Sequence, residues 1–258
     1  MEPLVSPPLA GRMYRSSRRI RLSDRARDGR LRLDAVARYL QDVAGDDVEE
    51  TGWGAPEHLW VMRHLRIDVV APPVEDERVE LVTWSSGRAT VAAGRRMSLA
   101  GDRGGRVEVD SVWVHLGPDA RPARIDDFGV YAETAGERVV STKLELQEPA
   151  AVARRTRWPL RVSDIDLLGH VNNAAYWQAV EECLRGAPLD SGLPFRAWLD
   201  HRHAIDLEDE VELVEDAGDG RLAIAFSVGR VTKAVARVEQ TRLLTVSRGR
   251  GAPRAAIP

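Results

Sequence analysis

Cysteine is all but missing from these 258 residues: Cys183 stands alone, so no internal disulfide can form and a core must hold the fold. Lysine is nearly as scarce. Only Lys143 and Lys233 accompany 35 arginines, and a formal net charge of -3 removes any global electrostatic case for nucleic acid or an anionic membrane as partner. No run approaches the ~20 apolar residues that cross a bilayer, and the opening MEPLVSPPLAGRMYRSSRR lacks the apolar stretch of a secretion signal. A reducing, cytoplasmic setting is therefore expected. Asparagine occurs only as the adjacent pair Asn172–Asn173. A rare residue used twice in succession marks a place to look.

What is present is ordinary for a globular chain, with 43% hydrophobic and 30% charged residues, which excludes a disordered or fibrous protein. The organising feature is an internal repeat. A shift of 140 positions aligns residues 15–42 with 155–182 without a gap, setting Arg21, Ser23, Asp24, Gly29 and Ala35 on Arg161, Ser163, Asp164, Gly169 and Ala175. Further on, RVELV at 78–82 matches EVELV at 210–214, an offset of 132. Two copies of one unit follow.

Each copy has the same grammar. A short alternating segment (Ile20, Leu22; Leu160, Val162) enters a Ser-Asp turn with a glycine, then a helical pattern. In copy one Leu33, Val36, Ala37, Leu40, Val43 and Ala44 recur at helical spacing before Gly52; in copy two Asn172 or Asn173 caps a helix through Trp177, Val180 and Leu184 before Gly186. The period then changes to two, predicting four strands per copy: 65–70, 78–84, 90–99 and 106–116, then 199–205, 210–215, 221–229 and 234–247. One helix and four antiparallel strands, done twice, is an α+β architecture. Residues 117–150 read as a linker, and about 1–12 and 249–258 as disordered ends.

Comparing the copies locates the chemistry. Copy two reads SDIDLLGHVNNAAYW where copy one reads SDRARDGRLRLDAVA, so Asp166 stands opposite Ala26, His170 opposite Arg30, Asn172 opposite Arg32 and Asn173 opposite Leu33. At these four positions, groups able to do acid–base work occur only in the second copy. A turn that feeds a helix leaves backbone N–H groups around Gly169, Val171, Asn172 and Asn173 to receive a developing oxyanion, and a nearby carboxylate can activate water or attack directly. Thioester hydrolysis fits that set.

The segment DIDLLGHVNNAAYW resembles the hotdog-fold thioesterase signature, and the tandem arrangement with a degenerate first half resembles the acyl-ACP thioesterase family over about residues 15–248. The resemblance implies a double hotdog: two fused, helix-wrapped antiparallel sheet units paired edge to edge as a pseudo-dimer. An N-terminal unit at 13–146 would supply scaffold and acyl pocket, and a catalytic unit would occupy 147–248. It implies hydrolysis of fatty acyl thioesters on acyl-carrier protein, or on coenzyme A, without metal or cofactor. The family's aspartate and histidine match Asp166 and His170. The plant enzymes' asparagine between them is Leu168 here, and their acidic residue after the helix, expected at Arg202, His203 or Ala204, is no carboxylate. Asp166 thus becomes the main candidate for base or nucleophile. A homodimer of the fused chain is possible but not required.

Other groups have plainer readings. His201-x-His203 lacks a third ligand at a recognised spacing, so no metal site is expected. His58 and His64 read as packing or surface residues, Cys183 as buried and inert, and Trp53, Trp60, Trp84 and Trp113 as core or acyl-tunnel lining. Nine arginines within 12–32 offer a docking surface for an acidic carrier protein or simply a solvated face. The alternative to an enzyme is a non-catalytic acyl-thioester-binding protein on the same scaffold. Dehydration or hydration of acyl thioesters would need a pair placed for proton abstraction, a pattern not found.

Overall fold

The computed structural model describes residues 4–53, 59–150 and 154–241. The first half comprises β1 (Tyr14–Arg19), α1 (Leu33–Thr51), β2 (Leu59–Ala71), β3 (Arg78–Arg88), β4 (Ala92–Gly101) and β5 (Arg106–Leu116). A linker holding the short α2 (Ala132–Ala135) leads to β6 (Arg154–Trp158), α3 (Asn173–Leu184), β7 (Phe195–His201), β8 (Val211–Gly218), β9 (Arg221–Val228) and β10 (Val231–Gln240). The strands form one antiparallel sheet in the order β1-β3-β4-β5-β2-β7-β10-β9-β8-β6. Read from either outer edge, the two halves have the same order.

The halves join through β2 and β7. Arg66 pairs there with Trp198, its own counterpart at the offset of 132, so a local two-fold axis passes through the seam. Alternation puts Leu65, Ile67 and Val69 beside Leu199, Ala197 and Phe195 on one face, all buried. There α1 and α3 pack against the sheet and each other, and one apolar core runs beneath both halves. Leu40, Val43, Trp177 and Val180 are fully buried, worth about 1.5–3 kcal/mol each for the aliphatic side chains. On the opposite face Asp68 accepts from the guanidinium groups of Arg66 and Arg196. Burial would raise the Asp68 carboxyl, but these bonds hold it below the usual carboxylate range.

Asp200 straps the linker to this face. It accepts from His64 Nδ1 at 2.5 Å and from the N–H groups of Glu145 and Leu146 at 3.0 and 2.9 Å. His64 is therefore a hydrogen-bond partner of Asp200 rather than simple packing, while His58 lies outside the described residues.

Several boundaries depart from the sequence reading. Each half has a fifth strand, β1 or β6, beyond the four expected, placed before the alternating segments at Ile20–Leu22 and Leu160–Val162. Leu22 and Val162 sit exposed in single 3-10 turns that swing the chain toward each helix. β7 ends at His201 because the N–H groups of Arg202 and His203 both turn to the Lys233 carbonyl. The described residues 4–12 are not loose: Val5 accepts from Arg96, and Arg12 pairs with Asp47 and Glu50. The expectations for 242–247 and 249–258 lie outside the described residues.

Candidate active site

The turns that enter α1 and α3 share one backbone hydrogen-bond scheme. Asp24, Ala26, Gly29, Leu31 and Arg32 donate to the carbonyls of Arg21, Arg30, Ala26, Pro73 and Asp24. Asp164, Asp166, Gly169, Val171 and Asn172 donate to those of Arg161, His170, Asp166, Ile205 and Asp164. Gly29 and Gly169 hold φ values of 88° and 80°, a left-handed bend that glycine adopts without steric cost. The framework residues shared by the copies build this turn. What differs is what it carries.

In the first copy the turn is sealed. Arg30 is buried and grips Glu181 of α3 through two bonds of 2.9 and 2.6 Å, and Glu181 also accepts the Leu33 N–H at 2.7 Å. A carboxylate from the other half thus occupies the N-terminus of α1, where the helix dipole favours negative charge.

In the second copy the turn is open. Asp166 is half-buried, and its Oδ1 accepts the Leu168 N–H at 2.9 Å. Exposed His170 directs its Nδ1 to Asp206 Oδ1 at 2.8 Å; the carboxylate accepts, so Nδ1 carries a proton, and in the neutral imidazole Nε2 presents the lone pair. Asn172 caps α3, its Oδ1 accepting the Ala174 N–H at 2.8 Å. The N–H groups of Gly169, Val171 and Asn172 are spent on the fold itself, which removes them as carbonyl donors. The Asn173 N–H takes no hydrogen bond among the described residues. Beneath lies buried Tyr176, whose hydroxyl is pushed up by burial and then by the charges of Asp166, Asp209 and Asp206.

Asp206 escaped the sequence reading, whose window for a downstream carboxylate closed at Ala204. The signal was available. The offset of 132 continues upstream of EVELV and sets Asp206 opposite Val74, one more titratable group found only in the second copy.

His201 and His203 do not share a strand face. His201 ends β7, packs edge-on against Tyr176 with ring centroids 4.8 Å apart, and has its Nε2 sealed without a partner. Burial lowers its pKa from 6.5 to about 4. The unfolded chain accepts a proton that the folded one refuses, so stability should fall as pH drops from 6.5 toward 4. The full loss is about 3 kcal/mol. In His201→Gln that slope should flatten, measured by urea unfolding at stepped pH; an unchanged slope would assign the loss to other groups. Cys183 is buried, and burial followed by Glu215 pushes its thiol up, away from reactivity.

A cavity of about 270 Å³ lies in the first half. Gln41, Ala44, Gly45 and Val48 line it from α1, at positions one helical turn apart. Trp53, Trp60, Trp113, Phe128 and Tyr131 supply aromatic walls, with Trp53 and Tyr131 edge to face at 5.1 Å. It has this shape because α1 runs 19 residues whereas α3 stops after 12, near the counterparts of Ala44 and Gly45. Trp84 is not part of it; it is buried elsewhere with Arg96 over its ring. Six of the nine arginines at 12–32 (Arg12, Arg15, Arg18, Arg25, Arg30 and Arg32) are ion-paired within the chain.

Two helices wrapped by a continuous antiparallel sheet, one half repeating the order of the other, define a tandem hotdog protein. Residues 11–129 match the acyl-ACP thioesterase N-terminal domain and residues 147–248 the C-terminal domain. The chain belongs to the acyl-ACP thioesterase family and is a thioester hydrolase acting on acyl-acyl carrier protein. It is 29% identical to the uncharacterized protein Rv2001 of Mycobacterium tuberculosis over 236 residues, 90% of this chain and 94% of that one. It is 23% identical to the chloroplastic oleoyl-acyl carrier protein thioesterase of Coriandrum sativum, over 80% of this chain and 63% of the relative. The 12:0-ACP thioesterase from Umbellularia californica superposes with a TM-score of 0.74 at 19% identity, covering 91% of this chain and 99% of that one. No helix among the described residues is long and apolar enough to cross a membrane.

Proposed function

We propose that the chain releases a free fatty acid from acyl-carrier protein at the turn entering α3, with the acyl chain housed in the first-half cavity. Asp166 takes a proton from water as the water oxygen bonds to the thioester carbonyl carbon. The Asn173 N–H steadies the oxygen that becomes negative. His170, its tautomer set by Asp206, accepts a hydrogen bond from the same water through Nε2 and aims its lone pair. When the C–S bond breaks, the proton held by Asp166 passes to the departing sulfur. The unit at 147–248 is then catalytic, and the unit at 13–146 is scaffold and pocket. The observation that carries this reading is that two identical backbone turns differ in bearing titratable groups at one and a sealed ion pair at the other.

The test is thiol release from matched acyl-carrier-protein and acyl-coenzyme-A thioesters of increasing chain length. Turnover with a preference for carrier-protein substrates is expected; the oleoyl and 12:0 chains in the relatives' names set the range to cover. Tight binding without release from any of them would leave an acyl-binding scaffold instead.

Gly45 offers a second check. A Cβ added there meets nothing within 4 Å, so the glycine keeps helix α1 open to the cavity at an intrinsic cost of about 0.5–1 kcal/mol relative to alanine. Gly45→Ala should raise thermal stability by about that amount. Gly45→Phe should remove turnover of the longest acyl chains while short ones still react. Equal losses at every length would place the acyl chain elsewhere.

A further inference from the structure

The two-fold relation between the halves assigns a partner to the Asn173 N–H. Glu181 of α3 stands at the entrance of α1, against Leu33 N–H; the counterparts of Glu181 and Leu33, at the offset of 140, are Gln41 and Asn173. α1 and α3 pack against one another, and the seam pairs Arg66 with its own counterpart, so the same relation carries Gln41 of α1 to the entrance of α3. In the sealed copy an anionic oxygen already rests 2.7 Å from a helix N-terminal amide, held from the far side by Arg30. In the open copy Gln41 carries no charge and its side chain makes no hydrogen bond among the described residues. It faces the cavity proposed for the acyl chain.

We propose that Gln41, supplied by the otherwise non-catalytic half, is a catalytic residue: its side-chain N–H and the Asn173 N–H together hold the thioester carbonyl oxygen. This rests on the reading of Asp166 as base at the same turn. The geometry explains why the position must be neutral. A carboxylate there would occupy the Asn173 amide, as Glu181 occupies that of Leu33, and would repel the developing oxyanion. An amide of nearly equal size leaves the Asn173 N–H to the substrate and adds a second donor. Because Gln41 also borders the cavity, one side chain would link the position of the acyl chain to that of the carbonyl.

The experiment compares wild type, Asp166→Ala, Gln41→Ala and Gln41→Glu in thiol release from one acyl-carrier-protein thioester across pH. It adds thermal unfolding and binding of the thioether analogue, which keeps the acyl chain and carrier but has no carbonyl. Gln41→Ala should lower kcat by about 100- to 1,000-fold at every pH, as loss of one oxyanion donor does, with unfolding and analogue affinity unchanged. Gln41→Glu should be as poor at alkaline pH and recover relative to wild type as pH falls, because a protonated carboxyl can again donate. Wild-type kcat in both Gln41 variants, with Asp166→Ala inactive, would overturn the role of Gln41 and leave the base in place. Parallel losses of stability and analogue binding would reduce Gln41 to a packing residue. Full activity in Asp166→Ala would overturn the reading of the site and this inference with it.

Discussion

Asp166→Asn should lower kcat for acyl-carrier-protein hydrolysis by about 10²- to 10⁴-fold, the range lost when a positioned general base is removed. The substitution is chosen because it spares the turn. Asp166 Oδ1 accepts the Leu168 N–H at 2.9 Å, and an asparagine carbonyl oxygen can take the same bond. The backbone bonds from Asp166 N–H to the His170 carbonyl and from Gly169 N–H to the Asp166 carbonyl do not involve the side chain. Thermal unfolding should therefore move little, while the proton acceptor is gone. If kcat fell less than about tenfold, the base would have to be sought in His170 with its Asp206 partner.

Glu181→Ala should destabilise the fold by about 3–5 kcal/mol, the cost of stripping one partner from a buried ion pair. The side chains of Arg30 and Glu181 are only 8% and 10% exposed, so neither charge is well screened by water. Removing Glu181 leaves the guanidinium without its bidentate partner and uncaps the Leu33 N–H at the start of α1. Arg32, the local cap residue, offers α1 no side-chain cap, because a guanidinium has no acceptor for the helix N–H groups; it donates to Asp34 instead. Equilibrium unfolding in urea measures the loss. Replacing Arg30 and Glu181 together by leucine should recover much of it, since no buried charge is then stranded. A loss below about 1 kcal/mol in the single variant would mean that the pair is solvated in solution.

Much of this architecture was legible in the sequence because a repeat reports on itself. The shift that aligned Asp24 and Gly29 with Asp164 and Gly169 aligned residues that perform the same backbone task. Those tasks fix the turns, the helices and hence the paired halves. The strand 106–116 was readable to the residue because its alternation is bounded by glycine on both sides. Other features depended on contacts between segments far apart in the chain. The salt bridge from Arg30 to Glu181 spans 151 positions, and neither residue signals the other locally. Asp206 lies past the end of β7, and an antiparallel bridge between His170 and Asp206, with Val171 N–H donating to the Ile205 carbonyl, brings it to His170. The strands Tyr14–Arg19 and Arg154–Trp158 went unread for a different reason: YRSSRR and RRTRW are mostly arginine, serine and threonine, so they carry no apolar alternation.

The seam between β2 and β7 has a consequence for stoichiometry. In a dimer of identical chains every substitution is made twice, so a charge clamp that locks one helix entrance must lock the other. Joining the halves covalently breaks that rule. Arg30 and Glu181 can bolt one entrance while Gln41 and His170 keep the other clear, and neither change is imposed on its mate. If the site is the turn entering α3, as proposed, each chain should process one acyl group at a time. Titration with a tight-binding substrate mimic should accordingly end at one equivalent per chain rather than two.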